Sequence, residues 1–132
     1  MQVDAPVPKI WSVLADFAGF LEWAGGPGDT IRIEGEGVGM IRHLSTSVGE
    51  IAEKMTELDS EQLILAYELV YGEPIGMKKY RAQVQVKSTG EKCELHWLGA
   101  FEPADPLAED SVAKTLNATY QGMSQLLAAH VS

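Results

Sequence analysis

Residues 67–86, YELVYGEPIGMKKYRAQVQV, carry two alternating apolar/polar runs around a Gly-Glu-Pro-Ile-Gly hinge. In the second run Tyr80, Ala82, Val84 and Val86 share one parity, while Lys79, Arg81, Gln83, Gln85 and Lys87 take the other. Successive side chains of a strand point to opposite faces, so the pattern predicts a strand with one buried and one wet face. Leu65, Tyr67 and Leu69 share a parity in the run before it. Two such strands aim Tyr67 and Tyr80 at the inside of a sheet, where each hydroxyl needs a partner. Either a filled core hydrogen-bonds them or a cavity uses them.

Working outward, residues 92–103 (KCELHWLGAFEP) predict another strand, with Cys93, Leu95, Trp97, Gly99 and Phe101 on one parity. Residues 30–47 (TIRIEGEGVGMIRHLSTS) read as a hairpin: Ile31 and Ile33 alternate with charged residues, and glycines supply the turn. Its Gly-Glu-Gly-Val-Gly run lacks the spacing of a phosphate loop and is not followed by a helix. Residues 50–70 (EIAEKMTELDSEQLILAYELV) have a helix-favouring composition, with Ile51, Met55 and Leu58 at helical spacing. The turn-forming LDSEQ and the apolar, aromatic Leu63–Val70 nevertheless favour two strands joined at Asp59–Glu61, which requires tertiary context to override propensity.

Helical periodicity flanks these strands. Residues 4–17 (DAPVPKIWSVLADF) place Ile10, Trp11, Leu14 and Phe17 on one stripe, with Asp4 available as an N-cap and Gly19 as a break. A short turn of helix and a Gly/Pro loop follow in FLEWAGGPGD. Residues 106–131 form one long helix: Pro106 opens it, acids fill its first turn, and Val112, Leu116, Thr119, Tyr120, Met123 and Leu127 make the inner stripe. The expected class is α+β: a curved antiparallel sheet of six to seven strands around a long C-terminal helix, with two short helices after a first strand. If the sheet curls strongly, a cavity opens beneath that helix.

The 132 residues suit one domain, with a formal net charge of −9 that disfavours nucleic acid and anionic membrane surfaces. One cysteine excludes an internal disulfide, and with three histidines it makes no zinc-type spacing, so neither metal nor cofactor is expected. No run approaches the roughly 20 apolar residues of a membrane span. The N-terminal residues do not read as a signal peptide, so the expected location is cytoplasmic.

Four stretches together carry a family likeness: APVPKIWSVLADFAGFLEW (5–23), GVGMIRHL (37–44), AEKMTELDSEQLILAYELVYG (52–72) and HWLGAFEP (96–103). Their order resembles the SRPBCC superfamily of START-like and birch-pollen-allergen-like helix-grip proteins. Within it the chain is similar to the bacterial polyketide cyclase/dehydrase and lipid-transport-like branch. The resemblance spans nearly the whole chain and implies one helix-grip ligand-binding domain over residues 1–132, its first strand truncated. It extends to the plant abscisic acid receptors, where Glu53, Tyr67, Tyr80 and Ala82 match pocket positions, Glu73–Gly76 matches a latch loop, and Val112, Leu116 and Tyr120 match the pocket side of the last helix. The chain departs from those receptors: no lysine lies near Gly25–Gly28, Pro74-Ile75 replaces the latch His-Arg pair, and Thr46–Ile51 lacks the gate motif. Abscisic acid is therefore not the expected ligand.

The candidate binding residues are Glu53, Tyr67, Tyr80, Tyr120, Arg42, Met55, Leu65, Leu69, Ala82, Trp97, Val112 and Leu116, with Phe101 beside them. Glu53 has open readings: a pocket carboxylate, which is the best catalytic candidate as acid/base, or else an ion pair with Arg42 or a solvent-exposed side chain. Tyr67, Tyr80 and Tyr120 either converge on one polar point or bond one another in a core. His43 and His96 take the outer parity and read as surface residues; Cys93 reads as a small core residue. Three functions follow: binding of a small hydrophobic or amphipathic ligand between sheet and helix, polyketide cyclase/dehydratase-type catalysis, or a non-catalytic homodimeric module with a filled core. Residues 71–77 and 46–51 are expected to frame an entrance.

Overall fold

A computed structural model of the chain describes residues 1–47 and 49–132. Seven strands form one antiparallel sheet: β1 (Gln2–Val3), β2 (Thr30–Glu34), β3 (Ile41–Thr46), β4 (Gly49–Asp59), β5 (Ile64–Tyr71), β6 (Met77–Ser88) and β7 (Cys93–Pro103). Their spatial order is β1-β7-β6-β5-β4-β3-β2. Two short helices, α1 (Val7–Leu14) and α2 (Phe20–Ala24), follow β1, and α3 (Glu109–Val131) runs 23 residues at the C-terminus. This is the expected helix-grip arrangement. β1 is a stub that pairs only at Gln2↔Glu94 and Val3↔Cys93.

The strand reading of residues 50–70 holds. Asp59 Oδ1 accepts from the backbone N–H groups of Glu61 (3.0 Å) and Gln62 (2.9 Å) and so builds the β4–β5 turn. The sheet then buries the inward side chains whatever their local helix propensity. The inner face, α1, α2 and α3 share one core that includes Ile10, Leu14, Phe17, Trp23, Met55, Leu65, Val84, Leu95, Val112, Leu116 and Leu127.

Four local expectations change. Asp4 does not cap α1: the helix starts at Val7 with Pro6 in the cap position, two residues past Asp4, and no side-chain bond closes its first turn. That helix ends at Leu14 rather than at Gly19, and a 3-10 turn at Phe17–Gly19 carries Phe17 into the core. Residues 46–51 are strand ends more than a loop, since Thr46 pairs with Gly49; Val48 lies outside the described residues. On α3 the inner stripe includes Ser124, fully buried, while Thr119 is half-buried and returns its hydroxyl to Thr115 O. No helix among the described residues is long and apolar enough to cross a membrane.

Candidate functional site

Two kinds of polar group sit in the otherwise apolar space between sheet and α3. The first is an ion pair. β3 and β4 place Arg42 opposite Glu53, both on the inner face. Arg42 Nε and Nη2 both reach Glu53 Oε1, at 2.9 and 2.8 Å. Nη1 donates to Phe17 O at 3.2 Å. The guanidinium carbon lies 3.8, 4.2 and 5.1 Å from the ring centroids of Phe17, Phe20 and Tyr67, which gives the buried cation three aromatic neighbours. The planar fork suits this mixture of bonding and stacking as an ammonium would not.

The second is an aromatic relay. Phe17 and Tyr67 pack at 5.9 Å, and Tyr67 meets Tyr80 edge-on at 6.2 Å. The Tyr80 and Tyr120 hydroxyls hydrogen-bond each other, joining β6 to α3. Trp97 stacks on Tyr120 at 4.7 Å, and its indole N–H donates to Ser124 Oγ at 3.0 Å, which in turn donates to Tyr120 O. Burial pushes the Tyr67, Tyr80 and Tyr120 phenols up from their ordinary range, and the Glu53 carboxylate adds to this for Tyr67 and Tyr120. All three are therefore neutral donors near neutral pH.

The sequence-derived set thus falls on one side of the sheet. Met55, Leu65, Tyr67, Tyr80, Ala82, Val112, Leu116 and Tyr120 belong to one buried cluster, with Leu69, Trp97 and Phe101 packed against it. Arg42 and Glu53 are 4 % and 6 % exposed, so they form the internal pair and not a solvated one. A small space bordered by Leu14, Phe20, Trp23, Arg42, Tyr67 and Met123 measures about 10 Å³, room for about one water, while a more open cleft of about 640 Å³ is lined by Leu95 and Trp97 of β7 and by Asn117, Tyr120 and Gln121 of α3. Sequence reasoning missed Phe17 and Phe20 as partners of Arg42, and Ser124 as partner of Trp97. Only the apolar stripe of α1 hinted at the first; nothing in the sequence marked the second.

The Tyr71–Met77 connection carries a 3-10 turn, Pro74–Gly76, in which Ile75 has φ 59° and packs against the core. A β-branched residue rarely adopts that left-handed conformation.

The profile of the family described as polyketide cyclase / dehydrase and lipid transport matches residues 1–132. No curated protein matches the chain at a significant level. Among solved structures, a protein from Nitrosospira multiformis is 22 % identical, with a TM-score of 0.78 over 100 % of this chain and 92 % of its own. Norcoclaurine synthase from Thalictrum flavum, in complex with dopamine and hydroxybenzaldehyde, is 21 % identical with a TM-score of 0.74, covering 100 % of this chain and 85 % of its own. Ara h 8.0201 is 17 % identical with a TM-score of 0.78, covering 99 % and 92 %. At these identities the likeness shows the fold.

Proposed function

The chain belongs to the polyketide cyclase / dehydrase and lipid transport family, and from that premise we propose that it binds a small hydrophobic or amphipathic molecule between the sheet and α3. The observation that carries this reading is a pair of polar contacts inside the grip: Tyr80–Tyr120 and Arg42–Glu53 both lie on the inner face, with Tyr67 packed between them. A core built for stability alone gains little from a buried ion pair, since apolar residues of similar volume often serve as well or better. A ligand needs fixed polar groups to orient it in an apolar site. The ligand would take a hydrogen bond from the Tyr80–Tyr120 pair and lie against Trp97, Leu65 and Leu116. It would enter by the cleft against Trp97 and Tyr120, and the strained turn at Ile75 is a segment that would move to admit it.

Binding is preferred over cyclase/dehydratase chemistry because Arg42 engages Glu53 Oε1 twice. An oxygen held by two guanidinium N–H groups cannot turn to a substrate without breaking the pair. The filled-core homodimeric module is the second reading, and the contiguous packing of the inward side chains is what favours it.

Native mass spectrometry of protein purified gently from its own source, compared with the denatured mass, tests the proposal. A discrete excess that disappears on denaturation, and weakens in Tyr120→Phe, supports binding. No excess, together with no change of tryptophan fluorescence across a panel of fatty acids, polyketides and aromatic acids, would rule it out in favour of the filled core.

A further inference from the structure

The outer face of the sheet, away from α3, carries a second linked set of side chains. His43 alternates with Arg42 along β3 and so points outward. Its register partner on β4 is Ala52, and the partner of Ala52 on β5 is Tyr71. The small Ala52, fully buried, leaves room for His43 and Tyr71 to meet above it, with ring centroids 5.8 Å apart. His43 Nδ1 lies 3.1 Å from the Tyr71 hydroxyl, and His43 Nε2 lies 3.2 Å from Glu34 Oε1.

The carboxylate fixes the tautomer of the neutral ring. Glu34 accepts only, so Nε2 carries the hydrogen and donates to it; Nδ1 is then the acceptor, and the Tyr71 O–H donates to it. This is the order of a hydroxyl nucleophile, a base and an orienting acid, with a phenol in the hydroxyl position. Tyr71 is 44 % exposed, whereas Tyr67, Tyr80 and Tyr120 are buried, so it alone among the tyrosines meets reagents from solvent.

We propose that Tyr71 is a nucleophilic acyl-acceptor site on the outer face, with His43 as its general base and Glu34 as the positioning residue for the imidazole. Its co-reactant is an activated acyl donor. The phenol oxygen forms a bond to the acyl carbonyl carbon, and the phenol proton passes to His43 Nδ1. The bond from carbon to the leaving group then breaks, and the leaving group takes that proton. The products are an O-acyl Tyr71 and the protonated leaving group, with no redox change.

N-acetylimidazole is a suitable probe, its imidazole being the leaving group. Acetylation of each tyrosine is followed by peptide mass spectrometry, with N-acetyltyrosinamide as the free reference. Tyr71 should react at least about a hundredfold faster than the reference, the lower end of what a positioned base supplies. His43→Phe, which keeps a ring over Ala52, should return it to the reference rate, and Glu34→Gln should give a rate between the two. His43→Asn serves as the second variant if the first unfolds. A wild-type rate no faster than the reference, or a fast rate that survives loss of the imidazole, overturns the proposal.

Discussion

The hydroxyl of Tyr120 sits over Gly99: a Cβ at residue 99 would come within 2.5 Å of that oxygen and 3.0 Å of Leu116 Cδ2. Residue 99 is therefore what lets α3 approach β7 closely enough for Tyr120 to reach Tyr80. Gly99→Ala should push the helix or the ring away and cost about 1–3 kcal/mol, the usual range for overpacking. Urea denaturation of the two proteins measures it, and an unchanged midpoint would show that the close approach costs nothing to relax.

Tyr80 and Tyr120 satisfy each other. Removing one hydroxyl leaves the other buried without its partner, so Tyr80→Phe and Tyr120→Phe should each destabilise by about 1–3 kcal/mol. The double variant should cost less than the sum of the singles, by about 0.5–3 kcal/mol of coupling. Additive costs in this cycle would mean that the hydroxyls act independently.

Arg42→Met strands the Glu53 carboxylate among Phe17, Phe20 and Tyr67 and should cost about 3–5 kcal/mol. Arg42→Met with Glu53→Leu removes both charges and should recover most of that loss. If the pair orients a ligand, the double variant folds yet binds it more weakly than the native chain does. Thermal unfolding, with and without ligand, separates the two effects.

The raised phenols set the alkaline limit of stability. Below the ordinary tyrosine value of 10.0, folded and unfolded chains both keep these protons, and the contribution is complete. Above pH 10.0 the unfolded chain releases protons that folded Tyr67 and Tyr80 retain. Stability then falls with rising pH, by up to about 1.4 kcal/mol per pH unit for each fully buried phenol. Melting temperatures should be flat from pH 8 to about pH 10 as far as these groups contribute, then decline. Tyrosinate absorbance from the buried rings should appear only as the chain unfolds.

Much of the architecture was legible because it rests on local periodicity. Tyr80, Ala82, Val84 and Val86 were placed inward by alternation, and all four are buried. Val112, Leu116, Tyr120 and Leu127 came from the helical period of α3 in the same way. Arg42 and Glu53 were legible as a possible pair because two strands joined by a short turn fix which residues face each other.

What alternation could not supply was the stagger between strands. Tyr71 has the same sequence parity as Tyr67 and Leu69. Between Glu53↔Leu69 and Ala52↔Tyr71, however, the β4–β5 register slips by one residue, and Tyr71 emerges on the outer face beside His43. A bulge adds one residue to one strand and reverses the facing of everything beyond it, which no two-residue period encodes. Nor does the inward set say how much space remains inside. Alternation and helical spacing by themselves determined which side chains face the core of this protein. The tertiary structure alone decided that Trp97 stacks on Tyr120 and that Arg42 lies among three rings, because packing depends on how separate elements interdigitate rather than on the direction in which each residue points.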